Sequence, residues 1–165
     1  MKKTKINNPS WNLYLDKVYT YAYWEKAFTK EECKTIIDIA KNKGLIKGTT
    51  TGKTDARLSK VSWLYSTDDL SWVFKKITDI VLNLNDRFFQ FDIFGLNEGL
   101  QFTNYKAPSD KYKKHVDRAV DSVIRKLSLS IQLTDPKEYQ GGELLLYENE
   151  KGIEMKKEQG TLILF

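Results

Sequence analysis

The stretch Lys126-Leu-Ser-Leu-Ser-Ile-Gln-Leu-Thr134 has the most regular pattern in the chain, because apolar and polar residues alternate along it. Side chains of a β-strand point alternately to its two faces. One face of this strand carries Leu127, Leu129, Ile131 and Leu133, and the other carries Ser128, Ser130 and Gln132. Two interpretations of the polar face stay open: it is an outer face in water, or it lines a ligand cavity inside a barrel.

Short strands are predicted on both sides of this stretch, wherever β-branched and aromatic residues cluster between turn residues. They are expected at Val18–Phe28, Lys60–Tyr65, Phe89–Phe94, Gly99–Tyr105, Lys126–Thr134, Glu143–Tyr147, Ile153–Lys156 and Thr161–Phe165. Apart from the first two, these strands all follow Arg87. The second half of the chain is therefore predicted to be a meander of strands.

Two helices are predicted in the first half of the chain. Thr29 and Glu32 have the spacing of a capping box, and apolar residues then recur at helical intervals until Gly44. Ser66 or Thr67 is expected to cap the second helix. The apolar stripe of that helix consists of Leu70, Val73, Phe74, Ile77, Ile80, Val81 and Leu84.

Helices followed by strands predict an α+β, mainly β fold in which the helices support one face of a β-sandwich or barrel. A parallel α/β sheet is excluded, because no helices separate the later strands. The sequence contains neither an obvious linker nor an internal repeat. One domain is therefore expected over residues 1–165, with helical support over about 1–88 and a strand-rich core over about 89–165.

The composition restricts the kind of protein and the kind of site. The 27 Lys and Arg residues exceed the 22 Asp and Glu residues, but both signs are interspersed, which predicts a mildly basic surface and no nucleic-acid partner. The single cysteine excludes an intrachain disulfide and a cysteine-based metal cluster. Neither a long apolar run nor a secretory signal is found, so we expect a soluble, cytoplasmic protein without a membrane partner.

His115 is the only histidine of the chain, and Asp117 follows it two residues later. On an extended strand these two side chains project to the same face, so both can reach one ion. A nitrogen and oxygen pair of this kind suits ferrous iron when a third ligand leaves further positions open. The motif is short, and from these residues alone a surface histidine beside a solvated aspartate is the more frequent explanation.

The stretch around this motif is one of several that occur in a fixed order. They are Arg57-Leu-Ser-Lys-Val-Ser-Trp63, Leu100–Tyr105, His115-Val-Asp117, Arg125–Ser128, Leu133–Leu144 and Gly160-Thr-Leu-Ile-Leu-Phe165. Together they resemble the iron(II)- and 2-oxoglutarate-dependent dioxygenases, in particular the prolyl-4-hydroxylase-like (PKHD-type) hydroxylases. The resemblance implies a double-stranded β-helix, a cupin-like jelly roll, with supporting helices on one side.

The resemblance also implies cofactors and ligands. The cofactors would be Fe(II) and 2-oxoglutarate, with ascorbate allowed as an accessory. His115 and Asp117 would be iron ligands at the end of the second barrel strand, and the hydroxyl of Tyr105 would contact 2-oxoglutarate. Ser130 and Gln132 would flank the cofactor, which favours the cavity interpretation of their strand face.

Arg57 and Trp63 resemble positions at the mouth of the cavity, where a substrate would bind. A packed tryptophan and a solvated arginine are the simpler alternatives. The implied activity is hydroxylation of a prolyl or similar residue of a peptide or protein, with release of succinate and CO2. The alternative function is a non-catalytic jelly-roll module, and the scattered basic residues give little support to an oxygenase of nucleic-acid bases.

The sequence departs from the family in its last part. In the family a second histidine follows the last strand seen here, and an Arg or Lys that pairs with 2-oxoglutarate comes shortly after it; neither is present. The last two barrel strands are therefore expected to be missing, and Thr161–Phe165 is expected to have an unpaired edge, which is an aggregation hazard. The chain is either a fragment of an active enzyme, which we favour, or a shortened relative with an incomplete site.

Overall fold

The computed structural model describes residues 4–7, 12–15, 19–49, 56–67, 69–96, 98–117, 124–148 and 150–165. Its helices are α1 (Lys30–Asn42) and α2 (Ser71–Leu84), with a π-helical turn over Asn85–Phe89 and a 3-10 turn over Pro136–Glu138. Its strands are β1 (Thr4–Asn7), β2 (Asn12–Leu15), β3 (Ala22–Trp24), β4 (Ile46–Lys47), β5 (Arg57–Leu58), β6 (Lys60–Leu64), β7 (Leu100–Asn104), β8 (Lys111–Tyr112), β9 (Leu129–Ile131), β10 (Leu145–Tyr147), β11 (Gly152–Glu154) and β12 (Leu162–Leu164). The predicted architecture of many strands and few helices is confirmed. In the part of the chain just given, no helix is long and apolar enough to cross a membrane.

The strands form small antiparallel sheets. One three-stranded sheet has the order β3-β12-β9 and another has the order β4-β6-β7, while β1-β2, β5-β8 and β10-β11 are pairs. In the first sheet Leu162 lies opposite Trp24 on one side and Ile131 on the other. The expectation of an unpaired edge along the last strand is wrong, because β3 and β9 bind both edges of β12.

Helices and strands meet in one apolar core. Its helical members include Cys33, Ile36 and Ala40 of α1 and Val73, Ile77, Ile80 and Leu84 of α2. Leu162 and Leu164 of β12 are buried against them, and Leu127, Leu129, Ile131 and Leu133 pack at the edge of the same cluster. The predicted apolar face of the alternating strand is therefore a core face, and Ser130 and Gln132 lie on its opposite face.

The two helices begin in different ways. At α1 the Glu32 N–H donates to the Thr29 hydroxyl at 3.2 Å and the Thr29 N–H donates to the Glu32 carboxylate at 2.8 Å, which confirms the capping box. At α2 the predicted side-chain cap is wrong, because the N-cap residue is Leu70 and no side chain caps the helix. Instead, the Thr67 carbonyl accepts the N–H groups of Leu70 and Ser71 in a turn before the helix.

Three predicted strands differ from the structure, and the one expected at Lys126–Thr134 is reduced to β9. The strand expected at Phe89–Phe94 is absent, because the Asn85 side chain accepts the Phe91 N–H at 3.0 Å and donates to the Phe91 carbonyl at 2.8 Å. These bonds occupy backbone groups that a strand would use in its ladder. The strand expected at Val18–Phe28 is reduced to β3 by the turn and bend that follow it, and residue 18 lies outside the described residues.

Candidate functional site

The site is built on the β5-β8 pair, which anchors the segment that carries His115. Arg57 lies opposite Tyr112 in this pair, and beyond it the Lys113 N–H donates to the Ala56 carbonyl at 2.9 Å. His115 and Asp117 follow in irregular backbone, whereas they were expected at the end of a barrel strand. The anchored β8 therefore fixes the backbone immediately before the histidine.

The His115 imidazole contacts two hydrogen-bond acceptors at once. Its Nδ1 lies 2.8 Å from the Lys113 carbonyl oxygen, and its Nε2 lies 3.0 Å from Oδ1 of Asp117. A neutral imidazole has one N–H and satisfies only one such partner. Both contacts are favourable only if a second proton is present, or if Nδ1–H donates to the carbonyl and a cation binds Nε2 and Oδ1 together.

Asp117 has a second contact, on its other carboxylate oxygen. The Arg125 guanidinium lies 3.8 Å from Oδ2 of Asp117 and forms an ion pair with Glu98. A cation near Oδ2 orients the carboxylate while Oδ1 stays directed at the imidazole. Each of the two candidate metal ligands is therefore held by a residue outside the motif, His115 by the Lys113 carbonyl and Asp117 by Arg125.

Arg57 is buried, with 7% of its surface exposed, so its interpretation as a solvated arginine is wrong. Its Nε donates to the Ser59 hydroxyl at 2.8 Å, and one terminal nitrogen donates to Gln101 at 2.6 Å and to Thr103 at 3.0 Å. In the part of the chain that the structure describes, no carboxylate forms an ion pair with it. Neutral oxygens alone satisfy this buried charge, which leaves it able to attract an anion or a polar substrate group.

Tyr112 contacts both Arg57 and His115. The Arg57 guanidinium carbon lies 4.8 Å from the centre of the Tyr112 ring, a cation–π contact. The His115 ring stacks on the same tyrosine with a centroid distance of 3.7 Å and an angle of 16° between the ring planes. One aromatic ring therefore connects the buried arginine to the candidate metal ligand.

Tyr105 lies one residue beyond β7, beside Arg57. Burial raises the pKa of its hydroxyl above the ordinary value, and the positive charge of Arg57 opposes part of that rise. The phenol therefore stays protonated at neutral pH and can donate a hydrogen bond to an anionic ligand. The structure thus links Arg57 to Tyr105 directly and to His115 through Tyr112, and the roles of these residues at a site stay predictions.

The other predicted site residues lie farther out. Trp63 of β6 is half-buried and pairs with Gln101, so it shares a sheet face with the Arg57 partners. Ser130 and Gln132 are half-buried on the polar face of β9. Within the described part of the chain, no hydrogen bond joins these two side chains to His115 or Asp117.

Sequence reasoning missed several contributors to this neighbourhood. Gln101, Thr103 and Tyr105 alternate along one strand face, and this polar alternation is the signal that identifies the Arg57 partners. Tyr112 has no comparable signal, because its importance comes from a cross-strand pairing with a residue far away in the sequence. Arg125 was part of a recognised stretch, but its ion pairs depend on folding.

The donor set at this point consists of two side chains. In the ranges that the structure describes, no group of three or more His, Cys, Asp or Glu residues is placed to hold a metal ion. The imidazole nitrogen and carboxylate oxygen nevertheless fit a divalent cation that accepts mixed ligands, because they lie 3.0 Å apart and can both face one ion. They provide a partial site, with other coordination positions left for further ligands.

Known proteins resemble this chain in sequence and in fold. Residues 100–165, from β7 to β12, match the family model described as the 2OG-Fe(II) oxygenase superfamily. A PKHD-type hydroxylase of Crocosphaera subtropica is 26% identical over 148 residues, which is 86% of this chain and 65% of that protein. This chain is similar to the prolyl-hydroxylase-like 2OG-Fe(II) oxygenases.

A solved structure supports the same relationship. The viral collagen prolyl hydroxylase of Paramecium bursaria Chlorella virus-1, crystallised as a 2OG complex, matches with a TM-score of 0.66 and 25% identity. The match covers 89% of this chain and 77% of the viral protein. The chain spans just under two thirds of the length of the Crocosphaera relative. The matched region of the superfamily includes His115, Asp117 and Tyr105.

Proposed function

We propose that this protein is an Fe(II)- and 2-oxoglutarate-dependent oxygenase that hydroxylates a prolyl or similar residue of a peptide or protein, with release of succinate and CO2. The observation that carries the proposal is the 3.0 Å approach of His115 Nε2 to Asp117 Oδ1, an arrangement that a shared cation satisfies. It lies within the region that matches the oxygenase superfamily. When bound, iron and 2-oxoglutarate supply the oxidising chemistry of such enzymes.

In this proposal His115 and Asp117 would hold the iron, since His115 Nε2 and Asp117 Oδ1 lie 3.0 Å apart. The Lys113 carbonyl keeps the proton on Nδ1, so that Nε2 is free to ligate. Arg125 steadies the outer oxygen of Asp117. Both ligands are only partly exposed, with 37% of each side chain accessible, and this opening leaves a path for cofactor and substrate.

The cofactor side of the site is assigned to Tyr105, with Ser130 and Gln132 on the polar face of β9. The Tyr105 hydroxyl, whose pKa is raised by burial, would donate to a carboxylate of 2-oxoglutarate. Lysines 113 and 114 precede the histidine in the sequence, and their charge favours the approach of a dianion. These groups bind and orient an anionic cofactor beside the two candidate iron ligands.

The substrate side is assigned to Arg57 and Trp63. Arg57 has neutral partners only in the described part of the chain, so its charge is available to a peptide carbonyl or carboxylate. Trp63 lies on the same sheet face as the Arg57 partners Gln101 and Thr103. The relatives are a PKHD-type hydroxylase and a collagen prolyl hydroxylase, which favours a prolyl residue of a peptide or protein as the substrate.

The test is turnover of 2-oxoglutarate by the purified full-length protein with Fe(II) and proline-containing peptides, followed by succinate release. His115→Ala and Asp117→Ala should each abolish turnover, because each removes a proposed iron ligand. Tyr105→Phe should raise the KM for 2-oxoglutarate about tenfold or more, since a hydrogen bond to a charged group is lost. Succinate release that persists unchanged in the His115→Ala variant would contradict the proposal.

A non-catalytic jelly-roll module is the second candidate function. The observation in its favour is that only two candidate metal ligands converge in the residues that the structure describes. Such a module would not bind Fe(II) at micromolar concentration under anaerobic conditions. An oxygenase would bind it, and His115→Ala would weaken that binding. Anaerobic Fe(II) titration of the full-length wild-type protein therefore separates the two functions before any substrate is known.

A further inference from the structure

We infer that Tyr112 is a positioning residue for His115, holding the imidazole in the orientation in which Nε2 faces Asp117. The inference rests on the proposed function, since it concerns how one of the proposed iron ligands is held. It adds a residue that does not itself bind metal, cofactor or substrate in the proposal. The observation behind it is the stacked contact between the Tyr112 and His115 rings.

The stack is close and nearly parallel. The ring centroids are 3.7 Å apart and the planes are inclined by 16°, so most of one imidazole face is covered by the phenol ring. A free surface histidine rotates about two side-chain torsions. Contact over a whole ring face removes much of the freedom of the second torsion, which sets where Nε2 points.

Tyr112 is itself held on β8. Its backbone pairs with Arg57 across the β5-β8 ladder, and the next residue donates to the Ala56 carbonyl at 2.9 Å. The buried Arg57 guanidinium also lies over the ring, 4.8 Å from its centre. The paired backbone of Tyr112 and the contact of its ring with the buried Arg57 restrict the movement of that ring. The His115 imidazole therefore stacks on a ring whose position is fixed.

The backbone adds a second constraint at the other end of the imidazole. The Lys113 carbonyl contacts Nδ1 at 2.8 Å, so the ring is held both over its face and at one nitrogen. These two constraints leave Nε2 directed at Oδ1 of Asp117, 3.0 Å away. Outer groups that fix a ligating histidine typically change metal affinity 10–100-fold when they are removed.

The experiment compares Tyr112→Leu, which removes the ring, with Tyr112→Phe, which keeps it. Because the chain has one histidine, its imidazole gives a single set of NMR signals without ambiguity. In the metal-free wild-type protein, the imidazole protons should be shifted upfield by the Tyr112 ring. The Tyr112→Phe variant should retain that shift and the Tyr112→Leu variant should lose it.

The second readout is the affinity for Co2+, measured by calorimetry with the metal alone. We expect roughly 10–100-fold weaker binding in Tyr112→Leu, and binding within about threefold of wild type in Tyr112→Phe. Tyr147→Leu is the matched control, because Tyr147 is about as exposed as Tyr112, at 40% against 37%, and it contacts Lys114 rather than His115. That control should leave the affinity and the imidazole shifts unchanged.

The outcomes distinguish this inference from the proposed function. Unchanged imidazole shifts in Tyr112→Leu, or Co2+ affinity equal to wild type in that variant, would overturn the positioning role. If Tyr112→Phe also lost Co2+ affinity, the tyrosine hydroxyl and not the ring would be responsible, and the positioning role of the ring would be overturned. If the wild-type chain binds no Co2+, His115 and Asp117 do not form a metal site by themselves, and the metal-free shifts still establish whether Tyr112 fixes the imidazole.

Discussion

Strand β12 and the segment Lys111–Asp117 are held in place by different physical means. Leu162, Ile163 and Leu164 of β12 have 0–1% of their surface exposed, and strands on both sides bind the backbone. Every residue of the Lys111–Asp117 segment is exposed, and its shape depends on a few ring, carbonyl and ion-pair contacts. Burial therefore fixes the first region, whereas individual polar and aromatic partners fix the second.

The largest effect is expected from truncation within β12. Leu162→Ala should lower the free energy of unfolding by about 2–5 kcal/mol, because it leaves a cavity in a packed core. Urea denaturation at neutral pH measures the change. The control is Leu145→Ala in β10, where the side chain is 41% exposed and the expected loss is smaller. Equal losses in the two variants would contradict the contrast between buried and exposed strands.

A smaller effect is expected at the junction between the helices. Lys76 donates to Glu32 at 2.7 Å, and this bond is the main reason that the pKa of the Glu32 carboxyl is lowered. A lowered pKa stabilises the fold above the carboxyl's unfolded value of about 4.3, and the stabilisation disappears as the pH falls through the folded value. Lys76→Met should therefore cost about 1 kcal/mol at pH 7 and nothing at strongly acid pH.

The measurement is the free energy of unfolding of wild type and Lys76→Met across that acid range. Lys75→Met serves as the control, because Lys75 pairs with Asp79 on the open surface, with 75% and 62% of the two side chains exposed. That variant should match wild type at every pH. A gap between wild type and Lys76→Met that stays constant down to strong acid would exclude Glu32 as its source.

The smallest effect is expected in the Lys111–Asp117 segment. His115→Ala should change the free energy of unfolding by no more than about 0.5 kcal/mol, since the side chain is surface-exposed and outside the core. The same urea experiment checks this value. A loss comparable to that of Leu162→Ala would mean that the segment is part of the cooperative core. It would also remove the basis for using His115→Ala as a folded, inactive variant.

The core could be predicted from the sequence because it follows repeating patterns. The alternation through Leu129 and Ile131 and the helical stripe from Val73 to Leu84 both describe faces that the structure buries. The capping box at Thr29 was recognisable for a similar reason, since all its atoms lie within one turn of chain. Both features can be predicted from a single sequence, because each depends only on residues that are close together in the chain.

The site could be predicted only in part. His115, Asp117 and Tyr105 were predicted from motifs, but the burial of Arg57 depends on Gln101 and Thr103, which are more than forty residues away. The strand expected at Phe89–Phe94 does not form, because the Asn85 side chain forms hydrogen bonds with the Phe91 backbone. Contacts of this kind depend on tertiary pairing or on a specific side-chain geometry, so no periodic pattern in the sequence predicts them.

The single thiol of the chain can report how often the core opens. Cys33 on α1 is fully buried, and burial raises its pKa to about 11. Alkylating reagents attack the thiolate, so the native protein should resist them at neutral pH. Each alkylated molecule has then opened at least once so that Cys33 became exposed. The rate of alkylation therefore measures how often the core around this sulfur opens.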